Sequence, residues 1–378
     1  MTDSIYKLTT TDGSARRGEF VTPHGTFQTP AFMPVGTSGA VKALTAEDLE
    51  QCGAEIILGN TYHLYLRPGH EIVRAQGGLA RFSGWNKPTL TDSGGYQVFS
   101  MRDNLKITDE GVRFRSHHDG SAHMFTPEKV TEIQHAIGAD IIMAFDQCVP
   151  YPADRELAAT GVRRTYEWAQ RCLTVHDALS DENKTRPCLF GIVQGSTYKD
   201  LRTQSAEQIV SLDFPGNAIG GLSVGESKGE MEDILAHTIE YLPTDRPRYL
   251  MGVGYPDDIL MAVSHGVDMF DCVLPTRNAR TGNVFTSHGQ ITYRNADYAD
   301  DDRPLDPHCD CKVCRRYSRA YIRHLYNQSE ITGMVLASYH SSYFYQNLMR
   351  NIRKAIEENR FAAFRDEFLS RYRGDAPA

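Results

Sequence analysis

A group of cysteines lies near the carboxyl end of the sequence, within six residues: Cys309, Cys311 and Cys314. Thiolates at this spacing can reach one metal ion together, and a tetrahedral zinc site then needs one further ligand. His340 is the predicted fourth ligand, and His308 and His324 are the alternatives. A closed site of three cysteines and one histidine leaves no position for water or substrate, so we expect a structural zinc ion.

Carboxylates form the second group of residues that could do chemistry: Asp92, Asp146 and Asp271. Each follows a short apolar run, where an aspartate can simply cap the next helix. Three of them on one rim would be like charges in a cleft, which costs free energy unless chemistry uses them. Glycines after Asp92, in DSGGYQVFS, would let a flat substrate approach the backbone. The pattern predicts an acidic active site.

Eight short apolar runs could position these side chains. They are predicted strands at Pro30–Val35, Glu55–Asn60, Pro88–Asp92, Asp140–Asp146, Cys188–Gln194, Asn217–Gly221, Arg248–Gly252 and Met269–Val273. Most end in a polar residue or glycine, and the segments between them have helical spacing; Thr126, Pro127 and Gly138, for example, bound one predicted helix. Buried strands alternating with helices predict an α/β protein with a (β/α)8 TIM-type barrel, whose strand ends meet at one active site.

The domain organisation follows from changes in composition. A polar, proline-containing stretch at 296–308 predicts that the catalytic barrel covers residues 1–296, followed by a zinc-binding subdomain at 297–347. Apolar residues at intervals of three to five then predict a C-terminal helix over 348–378, packed on the barrel. Their positions are Leu348, Ile352, Ile356, Phe361, Phe364 and Phe368.

Charge and composition limit the partners. The 378 residues carry a net charge of −8, but residues 303–378 contain 13 Lys+Arg against 8 Asp+Glu. This basic end is where phosphates could dock. Neither a secretory signal nor an apolar run of membrane-spanning length is present, so we expect a cytoplasmic protein. Eight cysteines are too few for a disulfide scaffold in a chain of this length.

Long motifs along almost the whole chain resemble the bacterial type of tRNA-guanine transglycosylase, the queuine tRNA-ribosyltransferase family. They are TPAFMPVGT, VKALT, GNTYHLYLRPG, LTDSGGYQVFS, AFDQC, GIVQG, GGLSVGE, YLMGVGYP, FDCVLPTRNARTG and the cysteine cluster. The resemblance implies an irregular barrel with a zinc subdomain. It also implies a pentosyltransferase of queuosine biosynthesis that exchanges guanine at the wobble position, G34, of tRNAs with GUN anticodons for a 7-deazaguanine.

The resemblance also implies roles for the aspartates. Asp271 corresponds to a nucleophile that forms a covalent ribosyl-aspartate, and Asp92 to the general acid/base, which agrees with the double displacement that retention of configuration requires. The other substrate-binding residues would be Ser93, Gly94, Gly95, Tyr96, Asp146, Cys148, Gln194, Gly221, Leu222, Val224 and Met251. Cys148 and Val224 favour the small base 7-aminomethyl-7-deazaguanine (preQ1), whose ammonium would bind the Leu222 carbonyl while Glu226 holds that peptide.

Two segments would contact the splayed anticodon loop. Their residues are Gly252, Val253, Gly254, Tyr255, Pro256, Asp257, Asp258, Thr276, Arg277, Asn278, Ala279 and Arg280. Four basic residues beside the cysteines are predicted to face phosphates: Lys312, Arg315, Arg316 and Arg319. The resemblance further implies a homodimer that binds one tRNA.

Three other functions compete with this interpretation. A catalytically inert, tRNA-binding partner subunit is disfavoured by the presence of both Asp92 and Asp271. A metal-dependent barrel hydrolase needs histidine pairs at strand ends, and His63 is the only obvious one. An archaeal-type enzyme that modifies the tRNA D-arm normally carries an extra carboxyl-terminal RNA-binding domain, which we do not expect here.

Overall fold

The computed structural model describes residues 5–100, 105–183 and 186–374. Within this part of the chain, eight parallel strands close into a barrel, and the first pairs with the eighth. In chain order the barrel strands are Ala31–Gly36, Ile57–Gly59, Thr89–Thr91, Ile141–Met143, Cys188–Val193, Asn217–Ile219, Arg248–Leu250 and Met269–Cys272. Each overlaps one predicted strand, so the predicted barrel is confirmed, although most strands are shorter than expected.

Helices connect the barrel strands and cover the outside of the barrel. They span Ala46–Cys52, Thr61–Leu66, His70–Ala75, Gly78–Ser83, Gly95–Ser100, Pro127–Ile137, Arg155–Asn183, Lys199–Ser211, Lys228–Ile239, Pro256–Ser264 and Leu274–Arg280. The Pro127–Ile137 helix has the predicted ends, because Thr126 accepts a hydrogen bond from the Lys129 amide and Gly138 adopts a left-handed conformation. The sequence signals for this helix were therefore local and sufficient.

An antiparallel sheet that the sequence analysis missed covers the amino-terminal end of the barrel. Its strands are Tyr6–Asp12, Ala15–Thr22 and Gly25–Thr29. Phe20 packs inside the barrel, with its ring centroid 6.0 Å from that of Phe190. Tyr6 and Arg16 bind Asp268, which immediately precedes the eighth barrel strand. This sheet closes the end of the barrel opposite the strand ends that carry the predicted site.

Two further groups of short antiparallel strands lie outside the barrel. A three-stranded sheet, inserted between the third and fourth barrel strands, consists of Lys106–Thr108, Gly111–Arg115 and Ala122–Phe125. A hairpin after the last barrel strand consists of Val284–Thr286 and Gly289–Ile291. A single turn of 3-10 helix follows at Ala296–Tyr298.

The carboxyl-terminal region differs from the prediction. Its helices span Arg319–Asn327, Ile331–Glu357 and Phe361–Arg373. The predicted start of the last helix, residue 348, is wrong, because it falls inside the continuous Ile331–Glu357 helix. That helix contains His340 and also packs on the barrel, where Gln346 donates a 3.0 Å hydrogen bond to the Phe32 carbonyl. The division into a barrel and a zinc-binding subdomain stays a prediction.

None of the helices in the described ranges is long and apolar enough to cross a membrane.

Candidate active site

The carboxyl ends of the barrel strands bring the predicted site residues together. Asp92, Asp146 and Asp271 lie at or just beyond the ends of the third, fourth and eighth strands. Asp146 contacts Gln194, which follows the fifth strand, and the charge of Asp271 is close enough to Asp92 to raise its pKa. Residues separated by more than 170 positions in the sequence therefore share one rim.

The side chain of Asp92 is buried, and four hydrogen bonds hold its carboxyl group in place. Its Oδ1 accepts from the backbone amides of Thr61 and Gly94, at 2.8 and 3.2 Å. Its Oδ2 accepts from Asn60 Nδ2, at 2.5 Å, and from Gln97 Nε2, at 2.8 Å. Burial raises the pKa of Asp92 to about 6, and the charge of Asp271 acts in the same direction. A carboxyl group with this pKa can both donate and accept a proton near neutral pH.

Asp271 is oriented through one of its two oxygens. Its Oδ1 accepts hydrogen bonds from Tyr249 Oη, at 2.6 Å, and from the Gly252 amide, at 2.8 Å. No hydrogen bond to Oδ2 is found among the described residues, so this oxygen has no partner that restrains it there. Burial raises the pKa of Asp271, and burial followed by the Asp271 charge raises the pKa of Tyr249 well above 10. Tyr249 therefore stays protonated as a donor.

Asp146 and Gln194 form a buried polar pair. Asp146 Oδ2 accepts from Gln194 Nε2, at 2.7 Å, and Oδ1 accepts from Ser93 Oγ, at 2.9 Å. Burial raises the pKa of Asp146. Gln194 Oε1 is buried and has no hydrogen-bond partner among the residues that the structure describes. A buried amide oxygen without a donor is unusual, and this oxygen is free to accept a hydrogen bond from a bound molecule.

The loop after the sixth strand carries Gly221, Leu222 and Val224. Gly221 has a φ of +66°, and a Cβ atom there would lie 2.5 Å from Gln194 Oε1, so only glycine fits. Glu226 accepts hydrogen bonds from the amides of Ser223 and Val224. In a trans peptide the carbonyl points opposite to the N–H. The Leu222 carbonyl is therefore directed away from Glu226.

Glycines and an exposed aromatic ring complete the cleft. Gly94 has a φ of +75°, and a Cβ on Gly95 would lie 3.0 Å from the Asp146 carbonyl. The next residue, Tyr96, is 58% exposed, which is unusual for a large ring and leaves its face open for stacking. Met251 is half-buried beside the barrel interior. Burial raises the pKa of the Cys148 thiol to about 12, so it remains protonated.

The two predicted RNA-binding segments are only partly at the surface. The exposed members include Gly252, Tyr255 and Arg277, and Asp257 and Asn278 are half-buried. The remaining members have little exposed surface, and their contact with RNA stays a prediction: Val253, Gly254, Pro256, Asp258, Thr276 and Ala279. Arg280 is half-buried, and its Nη1 has no hydrogen-bond partner in the described part of the chain.

The basic residues beside the cysteines are partly used within the protein. Arg319 is buried, pairs with Asp301 at 3.1 Å and donates to the Leu305 carbonyl, so its predicted phosphate contact is wrong. Lys312 pairs with Asp48 at 2.7 Å and lies over the Tyr339 ring. Arg315 makes an exposed pair with Asp310, and Arg316 lies beside the Tyr317 ring. Exposed ion pairs such as that of Arg315 contribute little to folding stability, so Arg315 can readily leave Asp310 for another anion.

The predicted metal ligands form one compact cluster. The ligand atoms of Cys309, Cys311, Cys314 and His340 all lie within 4.8 Å of one another. His340 is completely buried, and its Nδ1 lies 3.3 Å from Cys314 Sγ. The other ring nitrogen, Nε2, lies 2.9 Å from the Phe285 carbonyl. Donation to this carbonyl leaves the Nδ1 lone pair free for a metal. The donor set and its supporting contact fit a tetrahedral zinc ion.

Three residues that the structure connects to the site have no role predicted from the sequence. Asn60 was noted only as the end of a strand, and Tyr249 lies within the seventh strand. Arg202, in the helix Lys199–Ser211, has no exposed surface. The sequence around Tyr249 and Arg202 carries no local signal, because both act through neighbours that are distant in the chain.

Comparison with known proteins agrees with the geometry. The family model described as queuine tRNA-ribosyltransferase matches residues 11–374. Queuine tRNA-ribosyltransferases of Caldanaerobacter subterraneus and Pelotomaculum thermopropionicum are each 56% identical to this chain over 361 residues, which is 96% of the chain and 95% and 96% of the respective relatives. The same-named protein of Thermoanaerobacter pseudethanolicus is 55% identical over 369 residues, 97% of both chains. The chain therefore belongs to the queuine tRNA-ribosyltransferase family, a family of pentosyltransferases.

Proposed function

We propose that this protein exchanges guanine at G34 of tRNAs with GUN anticodons for preQ1, through a covalent ribosyl-aspartate, in queuosine biosynthesis. The observation that carries the proposal is the pair of coupled carboxylates, Asp92 and Asp271, in different environments on one rim. Two carboxylates with distinct environments can divide nucleophilic and acid–base work between them.

Asp271 is the proposed nucleophile. Replacing a base on an intact ribose with retention of configuration requires two inversions, and therefore a covalent intermediate. Tyr249 and the Gly252 amide hold Oδ1, which leaves Oδ2 to attack the anomeric carbon. The bond to guanine breaks as the bond to Oδ2 forms. The incoming base then attacks the same carbon and releases the carboxylate.

Asp92 is the proposed general acid/base. In the first half-reaction it protonates the departing guanine, and in the second it accepts a proton from the incoming base. Its pKa of about 6 lies near the working pH, which favours both directions of transfer. The four hydrogen bonds to its carboxyl group hold it in place during both steps.

Asp146, Gln194 and Gly221 are the proposed readers of the base. Each carboxylate oxygen of Asp146 has capacity beyond the single hydrogen bond it accepts, so Asp146 can accept from the N–H groups of a guanine edge. The side-chain amide of Gln194 and the Gly221 amide supply further polar contacts. Tyr96 stacks on one face of the base and Met251 closes the other.

Selection of preQ1 rests on the loop after the sixth strand. Glu226 accepts the Ser223 amide, which orients the Leu222 carbonyl as an acceptor for the aminomethyl ammonium. Val224 and Cys148 limit the space beyond it. The tRNA loop is proposed to lie along the exposed parts of the two segments, where Arg277 and Arg280 face its phosphates.

The metal proposed for the Cys309, Cys311, Cys314 and His340 cluster is one structural zinc ion per subunit. When bound, it would contribute folding free energy and no chemistry at the base. The protein is proposed to act as a homodimer on one tRNA.

The test is incubation of the protein with labelled guanine and a tRNA that carries G34 in a GU-containing anticodon. We expect incorporation of label, its loss on addition of preQ1, and none with a matched tRNA that carries adenine at position 34. Binding of tRNA without incorporation would favour the inert partner subunit, and incorporation into the D-arm would favour the archaeal-type enzyme.

A further inference from the structure

Arg202 is a buried cation beside the site without a carboxylate partner. Its side chain has no exposed surface, and no carboxylate of the described residues lies within ion-pair distance of it, although the charge of Glu226 acts on it from farther away. Burial lowers its pKa to about 10, so it is still charged at neutral pH. A charge without a partner is costly in a protein interior, and it persists only where hydrogen bonds compensate for the lost water.

Those hydrogen bonds all go to backbone carbonyls at the carboxyl ends of the fifth and sixth barrel strands and in the loops that follow them. Nε donates to the Ser196 carbonyl, at 2.7 Å, and Nη1 to the Val193 carbonyl, at 3.2 Å. Nη1 also donates to the Gly220 carbonyl, at 2.7 Å, and Nη2 to the Gly221 carbonyl, at 3.1 Å. The first two carbonyls flank Gln194, and the other two belong to the loop that carries the base-reading amide. One side chain therefore ties together both loops of the base site.

The bond to the Gly220 carbonyl sets the direction of the Gly221 amide. The peptide between these glycines is trans, as are all the described peptides outside three X-Pro bonds. Because N–H and C=O point in opposite directions in a trans peptide, the Gly221 N–H is directed away from Arg202. It is directed toward Cys148, with whose thiol it interacts. Arg202 thus holds the carbonyl side of this peptide, while its N–H points to the opposite side, toward Cys148.

We propose that Arg202 is a positioning residue that fixes the Gly221 N–H as a hydrogen-bond donor to the carbonyl oxygen of the purine base. The inference rests on the proposed function, because it assigns the base site to Asp146, Gln194 and Gly221. A guanidinium is suited to this role, since its planar array of donors spans several carbonyls at fixed angles, whereas the ammonium of lysine is a single point.

The test is the variant Arg202→Lys, with Arg248→Lys as the matched control. Arg248 is also buried, has a pKa lowered to about 10, and donates to two backbone carbonyls, but it lies at the amino-terminal end of its strand. We expect Arg202→Lys to raise KM for guanine on the order of 10-fold, with kcat and KM for tRNA nearly unchanged. Arg248→Lys should leave KM for guanine as it is.

A pair of bases makes the test specific for the carbonyl contact. Guanine and 6-thioguanine differ in the acceptor atom alone, and sulfur is the weaker acceptor. Wild type should prefer guanine, and Arg202→Lys should reduce that preference. An unchanged preference and an unchanged KM would overturn the role of Arg202. Equal changes in both arginine variants would reduce it to a structural one.

A measurement on the wild type keeps the inference testable if Arg202→Lys does not fold. Amide hydrogen exchange in the segment 217–224 should slow when guanine binds, and slow less with 6-thioguanine. Equal protection by both bases would contradict a donor role for Gly221. If wild type incorporates no guanine into tRNA at all, the proposed function itself fails, and this result is distinct from a change confined to the arginine variant.

Discussion

Two buried polar clusters in this protein are built in different ways. In the cysteine cluster the four ligand atoms face one another, and the second nitrogen of His340 is bound to the Phe285 carbonyl. On the barrel rim, Gln194 Oε1 has no hydrogen-bond partner within the described ranges, and Tyr96 is exposed. Burial also raises the pKa values of Asp92, Asp146 and Asp271. The cysteine cluster is therefore closed, because its donor atoms face one another. The rim cluster is open, because it keeps polar and aromatic groups free for a substrate.

The difference separates stabilisation from chemistry. In a closed donor set every ligand atom binds the metal ion, and no position is left for water or substrate. Such a site stabilises the fold and does no chemistry. An open cluster keeps unsatisfied groups and perturbed carboxyls, which cost stability and become useful only when a substrate completes them. Variants of the two clusters should therefore fail in different ways, and the comparison can be tested on that basis.

The largest effect is expected for Asp271→Ala. Without the nucleophile, base exchange should fall by about 10⁴-fold or more, with little loss of folding stability. Wild type mixed with tRNA and an inhibitor that traps the intermediate should form an adduct that resists denaturation, and the variant should not. Asp233→Ala, which removes an exposed carboxylate paired with Lys199, is the control. An adduct mapped to Asp92 would reverse the two roles.

Cys311→Ala should show the opposite profile. We expect it to lose zinc, to destabilise the protein by more than about 4 kcal/mol, and to weaken tRNA binding and dimerisation more than binding of the free base. Denaturant unfolding, elemental analysis and sedimentation provide the measurements. Cys52→Ala is the matched control, because this buried thiol lies near the cluster and contacts the Tyr339 carbonyl without being a ligand. Wild type that contains no zinc would refute the metal assignment.

Val224→Gly, alone or with Cys148→Val, should widen the open cluster. Wild type should accept guanine and preQ1 but exclude queuine, because the cyclopentenediol must pass the wall that Val224 helps to form. A misfit of a few atoms in a packed site costs about 1–3 kcal/mol, or roughly 10- to 200-fold in discrimination. Base-exchange kinetics with preQ1 and with queuine measure this discrimination. Val224→Ile is the control, because it should still exclude queuine. Equal use of queuine and preQ1 by wild type would contradict the preQ1 assignment.

The open cluster should also give the reaction a pH dependence. Release of guanine needs protonated Asp92, and with a pKa of about 6 the protonated fraction falls about tenfold per pH unit above that value. Single-turnover release of labelled guanine from tRNA should therefore slow as pH rises from 6 to 8. Gln97→Leu removes a hydrogen bond that lowers this pKa, so it should move the midpoint upward. A rate that is independent of pH would argue against Asp92 as the acid.

Much of the architecture could be read from the sequence, because its signals are local. Buried strands appear as short apolar runs, and helix ends are marked by residues such as Thr126 and Gly138. The amino-terminal sheet was not predicted because its strands contain no long apolar run, and the first strand is mostly exposed. The helix Ile331–Glu357 was divided at residue 348 because its first half carries the polar ligand His340, which conceals that one helix serves both the cysteine cluster and the barrel.

The sequence by itself determined the barrel, the three cysteines and the order in which the aspartates reach the rim, since each depends on spacing within a few residues or on motifs shared with a family. Only the tertiary structure decided which polar groups are buried together. Tyr249 beneath Asp271, Arg202 behind Gly221, and the burial of Arg319 and Ala279 all depend on neighbours far away in the chain. The physical reason is that burial and hydrogen bonding belong to a place in the fold, and spacing along the chain does not specify that place.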